Sequence, residues 1–581
     1  MSSIGAGGTA PPGCASGVCK PAGNGTWTDF VAPRDLYNEA ASNYLYTPSS
    51  RENIFATAGN RIRDNVALFG ELLYQHRDSS RQLSPVAFEA DSPISKDSMY
   101  NPLGGDILDY RRRITELGPR QYSDTISMLR FVVGLTGGAP SSWEALKGWK
   151  YEVSENYGYT NSLVGTDGQL IKPRVADALG PSMLDANGVP ICVRKPGDPT
   201  TQIIYIIQGL PPLPCVPLNL LAPRGTIPRD QLKNLTFNDA GAGTDSLNTL
   251  LATASGRVAE LPHHGEISLS LGGDYRSEVG RQAPPSVASA GYTTDNAAIL
   301  TEGQFHLFEG FSELAIVPIS GHDIAQRLEI DLGARALHHD HAGSSVTYKA
   351  GGLFRTVHGL AIRGTYATAF RAPSVLDLYG GRTESLPYAE DPCDSKPPSA
   401  GDGMKTLDPM VQAQCAAQGV PVGSKFTTSQ QLSVIGGNPD LRAETAATAT
   451  IGVVIEPPEV KGLALTADYW HIAIDHAIET LGIQTIFANC YDRGVPSYCD
   501  QIHRDPSTHR ISSVDQFLQN VTRTATSGID LALWYDTQLG RFGRIHTGLE
   551  NFLKRLQTLQ LSLLVTIPPA PRIGGASVPR I

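Results

Sequence analysis

Long segments of this chain alternate strictly between apolar and polar residues. In 266–275 ("EISLSLGGDY"), Ile267, Leu269, Leu271 and Tyr275 share one face, and Glu266, Ser268, Ser270 and Asp274 share the other. In 328–338, Leu328, Ile330, Leu332, Ala334 and Ala336 oppose Glu329, Asp331, Gly333 and Arg335. In 528–536, Ile529, Leu531, Leu533 and Tyr535 oppose Asp530, Ala532 and Asp536, with Trp534 on the polar side. A period of two marks a strand with one apolar and one polar environment. That fits a soluble sandwich or a barrel in a membrane. Length separates them. Several segments run nine to thirteen residues, against about 5–6 for a globular strand and about 9–11 for a tilted strand crossing a bilayer.

Connection lengths point the same way. The pattern predicts strands at 55–62, 66–76, 125–135, 149–155, 247–259, 266–275, 308–318, 328–338, 346–354, 360–370, 445–456, 463–476, 528–536 and 544–551. Every second link is short or moderate. The alternate links at 77–124, 156–246, 276–307, 371–444 and 477–527 are long, and only 339–345 is short. In an antiparallel sheet, alternate links return to the same end. One end therefore carries tight turns and the other large loops, as in outer-membrane barrels. A sandwich gives no reason for such sorting. The expected fold is an all-β antiparallel transmembrane barrel.

Composition narrows the class further. The 581 residues carry a net charge of −10, with 41% hydrophobic and 18% charged residues. No basic surface for nucleic acid is implied. No window of 18 apolar residues exists, which excludes a spanning helix but not spanning strands. The start, "MSSIGAGGTAPPGCASGVCK", has no apolar core of signal-peptide length.

Eight cysteines fall into four local pairs: Cys14/Cys19, Cys192/Cys215, Cys393/Cys415 and Cys490/Cys499. Zinc would need two pairs to converge at short spacing, and only the first spacing is short. Local disulfides in an oxidising compartment are the better reading. Three pairs lie in links of the long-loop end, and the first precedes the first strand on that side. Closing loops that lack a core of their own would stabilise each by roughly 3 kcal/mol.

Two finer expectations concern aromatic residues and register. Tyr469, Trp470, Trp149, Tyr151 and Tyr157 lie near expected strand ends, where interfacial girdles sit, although for any single one ordinary β-propensity is the better reading. In "LALTADYWHIAID", Leu463, Leu465 and Tyr469 share one parity and Ile472 and Ile474 the other, which predicts a bulge near 470.

Short motifs add a resemblance. "RGTYATAFRAPSVLDLYGG" (363–381) is similar to the strand-to-loop junction of TonB-dependent receptors, active importers of the Gram-negative outer membrane. "GGNPDLRAET" (436–445), "DYWHIAID" (468–475) and "TSGIDLALWYD" (526–536) follow in that family's order. "DYRRRITELGPRQYSDTISMLRFVVGLTG" (109–137) also resembles a barrel segment. The resemblance covers roughly 40–550. It implies uptake of a scarce ligand, such as a ferric siderophore, cobalamin or an oligosaccharide, driven by TonB. It implies no enzymatic chemistry and no cofactor. The family barrel has about 22 strands, so the expected 14 form a partial one. A signal peptide, a TonB-binding segment and a plug domain are not visible here. The expectation is a fragment divided into an extracellular lead-in (1–54), a partial barrel (55–555) and an aberrant or frame-shifted tail (556–581).

Within this reading Arg371, Tyr379 and Arg382 are candidate ligand contacts in a loop at the barrel mouth. "LHHDHAG" (His338, His339, His341) reads as an exposed turn rather than a metal cluster, and so do His263 and His264. Glu329 and Asp331 read as lumen carboxylates facing water. No catalytic fingerprint is present. A passive porin and a secreted, disulfide-stapled adhesin are the alternatives.

Overall fold

The computed structural model describes residues 3–5, 13–14, 18–23, 26–89, 92–140, 142–206, 212–323, 325–395, 406–426, 430–521, 523–538 and 544–557. Its main element is a 14-stranded sheet in which strands adjacent in sequence are adjacent in space. The strands are β1 (Ser49–Arg63), β2 (Val66–Leu83), β3 (Arg120–Gly138), β4 (Lys150–Leu170), β5 (Thr236–Leu261), β6 (Gly265–Ala283) and β7 (Thr301–Ser320). They continue as β8 (Ala325–His339), β9 (Gly343–Thr356), β10 (Leu360–Arg371), β11 (Glu444–Ile455), β12 (Leu463–Asp475), β13 (Arg523–Gln538) and β14 (Arg544–Gln557). β1 and β14 stand at the two ends of this order. Of the expected tail, residues 558–581 lie outside the described residues.

All the expected strands are present, but several extend well beyond the alternating stretch. β4 continues from 155 to Leu170, β5 starts at Thr236 rather than 247, and β6 runs on from 275 to Ala283. In these extensions ("TDGQL", "TFNDAGAG") no face is consistently apolar, so the period-two signal vanishes. The backbone ladder continues through them, from Thr249↔Asn156 up to Thr236↔Leu170.

The sheet is apolar on one face and polar on the other. Along β3, Leu129, Phe131, Val133 and Leu135 stay 41–45% exposed. Leu68 and Leu72 of β2, Leu271 of β6 and Leu332 of β8 are 40–44% exposed. A soluble chain rarely leaves so large an apolar surface uncovered, and a bilayer is the usual cover.

The polar face solves a packing problem with glycine. Lys349 Nζ reaches Glu313 Oε1 at 2.5 Å, passing over Gly333, which pairs with both residues. Arg363 forks onto Asp468 at 2.9 and 2.7 Å, over Gly452, again paired with both. A Cβ on Gly452 would run into the Asp468 carboxylate. Elsewhere an aromatic ring fills the gap left by a cross-strand glycine: Phe69 over Gly134, Phe311 over Gly272 and Trp534 over Gly548.

Two expectations fail here. β12 pairs in unbroken register with both neighbours from Leu465 to Asp475, so no bulge lies near 470. The change of parity has another cause: at its upper end the polar face packs on folded loops, where Ile474 touches an apolar core. The observed register shifts fall elsewhere, between Arg257 and Ala259 and between Ile316 and Ile319, for example. The strand-end placement also fails for Trp470, which sits within the strand on the polar face and donates to Asp530 Oδ1 at 3.4 Å.

Candidate functional site

The tight turns 64–65, 262–264, 321–323 and 357–359 gather at one end of the sheet, and the described parts of the links 84–119, 171–235, 284–300, 372–443 and 476–522 at the other. The long links are folded bodies. The molecule's main apolar cores lie in them, not in the sheet. The expectation that these loops lack cores is therefore corrected.

One lobe combines the segment 13–35 with links 84–119 and 171–235. Its core includes Trp27, Phe88, Tyr110, Ile114, Leu179 and Leu218. Arg112 is buried within it, donating to the Leu220 carbonyl at 2.8 Å, to the Ala222 carbonyl and to Glu116 Oε1 at 2.7 Å. Asp109–Arg113, expected within a barrel segment, is a short strand of this lobe, and the barrel strand begins at Arg120.

The second lobe combines links 372–443 and 476–522 around Phe426, Ile486, Phe487 and Tyr491. Its centre is a buried ion pair. Arg504 Nη1 and Nη2 donate to the two oxygens of Asp391, both at 2.7 Å. Arg504 Nη2 also reaches the Tyr491 hydroxyl at 2.8 Å, Nε reaches Gln418 Oε1 at 2.9 Å, and Nη1 reaches the His509 carbonyl at 2.8 Å. Burial pushes the Tyr491 phenol above its ordinary value, so it stays a neutral donor to Gln418.

All four disulfides close as the sequence pairs them: Cys14–Cys19, Cys192–Cys215, Cys393–Cys415 and Cys490–Cys499. Two belong to each lobe. Cys19, Cys192, Cys215, Cys393, Cys415 and Cys490 are buried in the lobe cores.

Link 284–300 straps the lobes together. On one side, Leu170 N–H donates to Thr294 Oγ1 at 3.0 Å and Thr294 Oγ1 donates to Gln169 at 2.8 Å. On the other, Glu384 N–H donates to the Ala297 carbonyl at 2.8 Å and Ile299 N–H to the Arg382 carbonyl at 2.9 Å.

The expected contact residues all lie where the second lobe meets the sheet. Arg371 Nε bonds Glu444 Oε2 at 2.5 Å and Nη1 bonds Asp377 Oδ2 at 2.9 Å. "FRAPS" and "NPDLRAE" are thus two halves of one clamp, since Arg371 and Glu444 are register partners. Ser374 and Asp377 form a capping box that starts the helix Val375–Tyr379. The Tyr379 hydroxyl bonds His341 Nε2, and its ring packs on Gly303. The Arg382 guanidinium lies 5.1 Å from the Phe517 ring centre. Each of the three braces the joint through an intramolecular partner.

His339 is not exposed as the turn reading expected; it is fully buried against Phe305. Its Nδ1 accepts the N–H groups of His341 and Ala342, both at 3.1 Å, and so shapes the 340–342 turn. His339→Ala is expected to cost about 1–3 kcal/mol by stranding these donors. Amide exchange at His341 and Ala342 would accelerate; unchanged exchange would contradict this role.

The family profile described as "TonB dependent receptor-like, beta-barrel" matches residues 217–562. The chain belongs to that family. TonB-dependent receptors are outer-membrane transporters and not enzymes. No curated protein sequence matches the chain. Among solved structures it is similar to the RagAB peptide transporter, at 11% identity and a TM-score of 0.45, covering 89% of this chain and 48% of that one. It is also similar to the siderophore receptor PirA from Pseudomonas aeruginosa, at 11% identity and a TM-score of 0.34, covering 88% and 66%. The chain therefore spans about half to two-thirds of the length of these structures. Of its TonB-dependent-receptor motifs, "FRAPS" and "NPDLRAE" were legible in sequence. The Asp391–Arg504 pair was not, because its partners are 113 residues apart and no local pattern links them.

Proposed function

We propose that this chain is the barrel part of an outer-membrane importer that captures a scarce nutrient at its lobe end. The nutrient is of the ferric-siderophore, cobalamin or oligosaccharide class, and TonB supplies the energy. The observation that carries this reading is the sorting of the links: the large connections fold into two lobes with their own cores, all at one end of the sheet. A passive pore has no need of so elaborate a mouth. The partners required are TonB, the ligand and outer-membrane lipid; nucleic acid is not among them.

The test begins with cell fractionation and a heat-modifiability gel. The chain is expected in the outer membrane as a folded, heat-modifiable species. Recovery from the medium alone, without such a species, would sink the reading in favour of a secreted protein. A deletion strain is expected to lose growth when iron, cobalamin or glycan is limiting, and complementation should require TonB. Uptake that persists without TonB would identify a passive pore instead.

A further inference from the structure

Most links at the lobe end are long. The short one, 340–342 between β8 and β9, is where the second lobe meets the sheet. The helix Val375–Tyr379 is seated there on the polar face. Val375 packs with Phe305, Leu307 and Leu337. A Cβ on Gly280 would come within 3.3 Å of Val375 Cγ1, and one on Gly303 would enter the Tyr379 ring. The Tyr379 hydroxyl bonds His341 Nε2 in the turn, and the two rings meet edge to face at 5.5 Å.

Histidines 306, 338, 339 and 341 surround this seat, and they differ in what their nitrogens face. His341 Nδ1 meets Asp340 Oδ1 at 2.8 Å, and its Nε2 meets the Tyr379 hydroxyl. His306 Nδ1 meets the Tyr275 hydroxyl at 2.9 Å, and His338 Nδ1 meets the Ser344 hydroxyl at 2.9 Å. Carboxylate and hydroxyl oxygens accept hydrogen bonds, so a proton added to any of these three rings still finds an acceptor. His339 is different. Its Nδ1 faces the backbone N–H groups of His341 and Ala342, which can only donate. Neutral His339 therefore carries its proton on Nε2, which is buried without a hydrogen-bond partner. A second proton, on Nδ1, would set three N–H groups against one another around a fully buried ring packed on Phe305.

The surrounding groups do little to offset that. Asp340 Oδ1 lies 3.5 Å from His339 Nδ1 but already accepts from His341, and Asp340 Oδ2 accepts the His306 N–H at 3.0 Å. His338 and His341 flank the ring in sequence. From β6, Arg276 and Glu278 stand opposite Leu307 and Phe305 in register. Glu309 of β7, opposite Leu337, bonds Arg335 at 3.1 Å. β9 faces His339 with Gly343. On the helix, Tyr379 bonds His341, and Asp377 is committed to Arg371 and the Ser374 N–H, both at 2.9 Å.

We propose that His339 is a proton-sensitive latch on the joint between the second lobe and the sheet. Neutral, it holds the 340–342 turn, and the turn holds the Val375–Tyr379 helix through His341. Protonated, it loses both amide bonds and releases the turn, which frees the helix from its seat. The stabilising contribution belongs to the neutral ring. It is therefore present above the imidazole range and lost as the pH falls. The latch acts on the joint and does not depend on which nutrient is captured.

The test is amide exchange of the full chain folded in detergent, followed from about pH 7.5 to about pH 5 across the imidazole range and corrected for the intrinsic pH dependence of exchange. In the wild type, protection at 341–342 and 375–380 should fall on acidification, by up to about tenfold per pH unit once the ring titrates, the limit for one linked proton. Protection in the β2–β3 ladder should stay constant; an equal loss there would mean general unfolding and overturn the proposal. His339→Gln keeps an acceptor for the two amides and removes the titrating ring, so its protection should not vary with pH. His306→Gln and His338→Gln should keep the wild-type profile. If His339→Gln gives no heat-modifiable species, His339→Asn replaces it. Constant protection in the wild type overturns the proposal, as does a wild-type profile in the His339 variant or a flat one in either of the other two.

Discussion

Replacing Asp391 with alanine is expected to loosen the second lobe by about 3–5 kcal/mol while leaving the sheet assembled. The side chains of Asp391 and Arg504 are only 2% and 6% exposed, so truncation strands a guanidinium away from water. It also removes the anchor between links 372–443 and 476–522, because Arg504 comes from one and Asp391 from the other. Amide exchange and protease cleavage should rise in 385–426 and 481–516. The heat-modifiable species should persist, because the backbone ladder of the sheet does not involve this pair. Arg504→Met on top of Asp391→Leu should recover much of the loss, since an apolar pair leaves no buried charge. Unchanged protection in Asp391→Ala would show that the lobe is held by its apolar core and disulfides alone.

Gly359→Ala is expected to impair the sheet itself. Positive φ at a residue with a Cβ costs roughly 1–3 kcal/mol. A Cβ at this position would also collide with the Glu456 carbonyl, which belongs to the backbone and cannot rotate away. The 357–359 turn would have to separate from the next connection, breaking the Glu456 N–H bond to Gly359 and straining the Arg355–Glu456 pair at 2.6 Å. A reduced yield of heat-modifiable protein is the expected result, with Gly188→Ala as a comparison: it has φ of 76° but open space around it. Equal yields from the two variants would show that the close approach at 359 is unimportant.

The strands were legible because most have one apolar face over the stretch that alternates, and alternation survives a local exception such as the change of parity in β12. Where strands rise past that face, as in Thr236–Ser246 of β5, the signal stops although the ladder continues. The lobes were hidden for a different reason. Their apolar residues are scattered among prolines, glycines and short helices, and they meet only through long-range contacts. The cysteine pairs marked where these bodies lie but not that they have cores. Arg371, Tyr379 and Arg382 were singled out as ligand contacts, and no sequence pattern discloses that each is held by an intramolecular partner.

The shared cores set the smallest piece that could be transplanted between receptors. A chimera exchanging link 372–443 alone would import an Asp391 with no Arg504, half of one apolar core, and one of two co-packed disulfides. Moving 372–443 and 476–522 together would carry the whole lobe, leaving the Arg371–Glu444 clamp, the Tyr379 contacts with His341 and Gly303, the packing of Val375 on Phe305 and Leu307, and the strap at Ala297–Ile299 among the contacts to re-match. In this chain the lobe therefore moves as a pair of segments, and single-loop grafts should fail for reasons unrelated to any ligand.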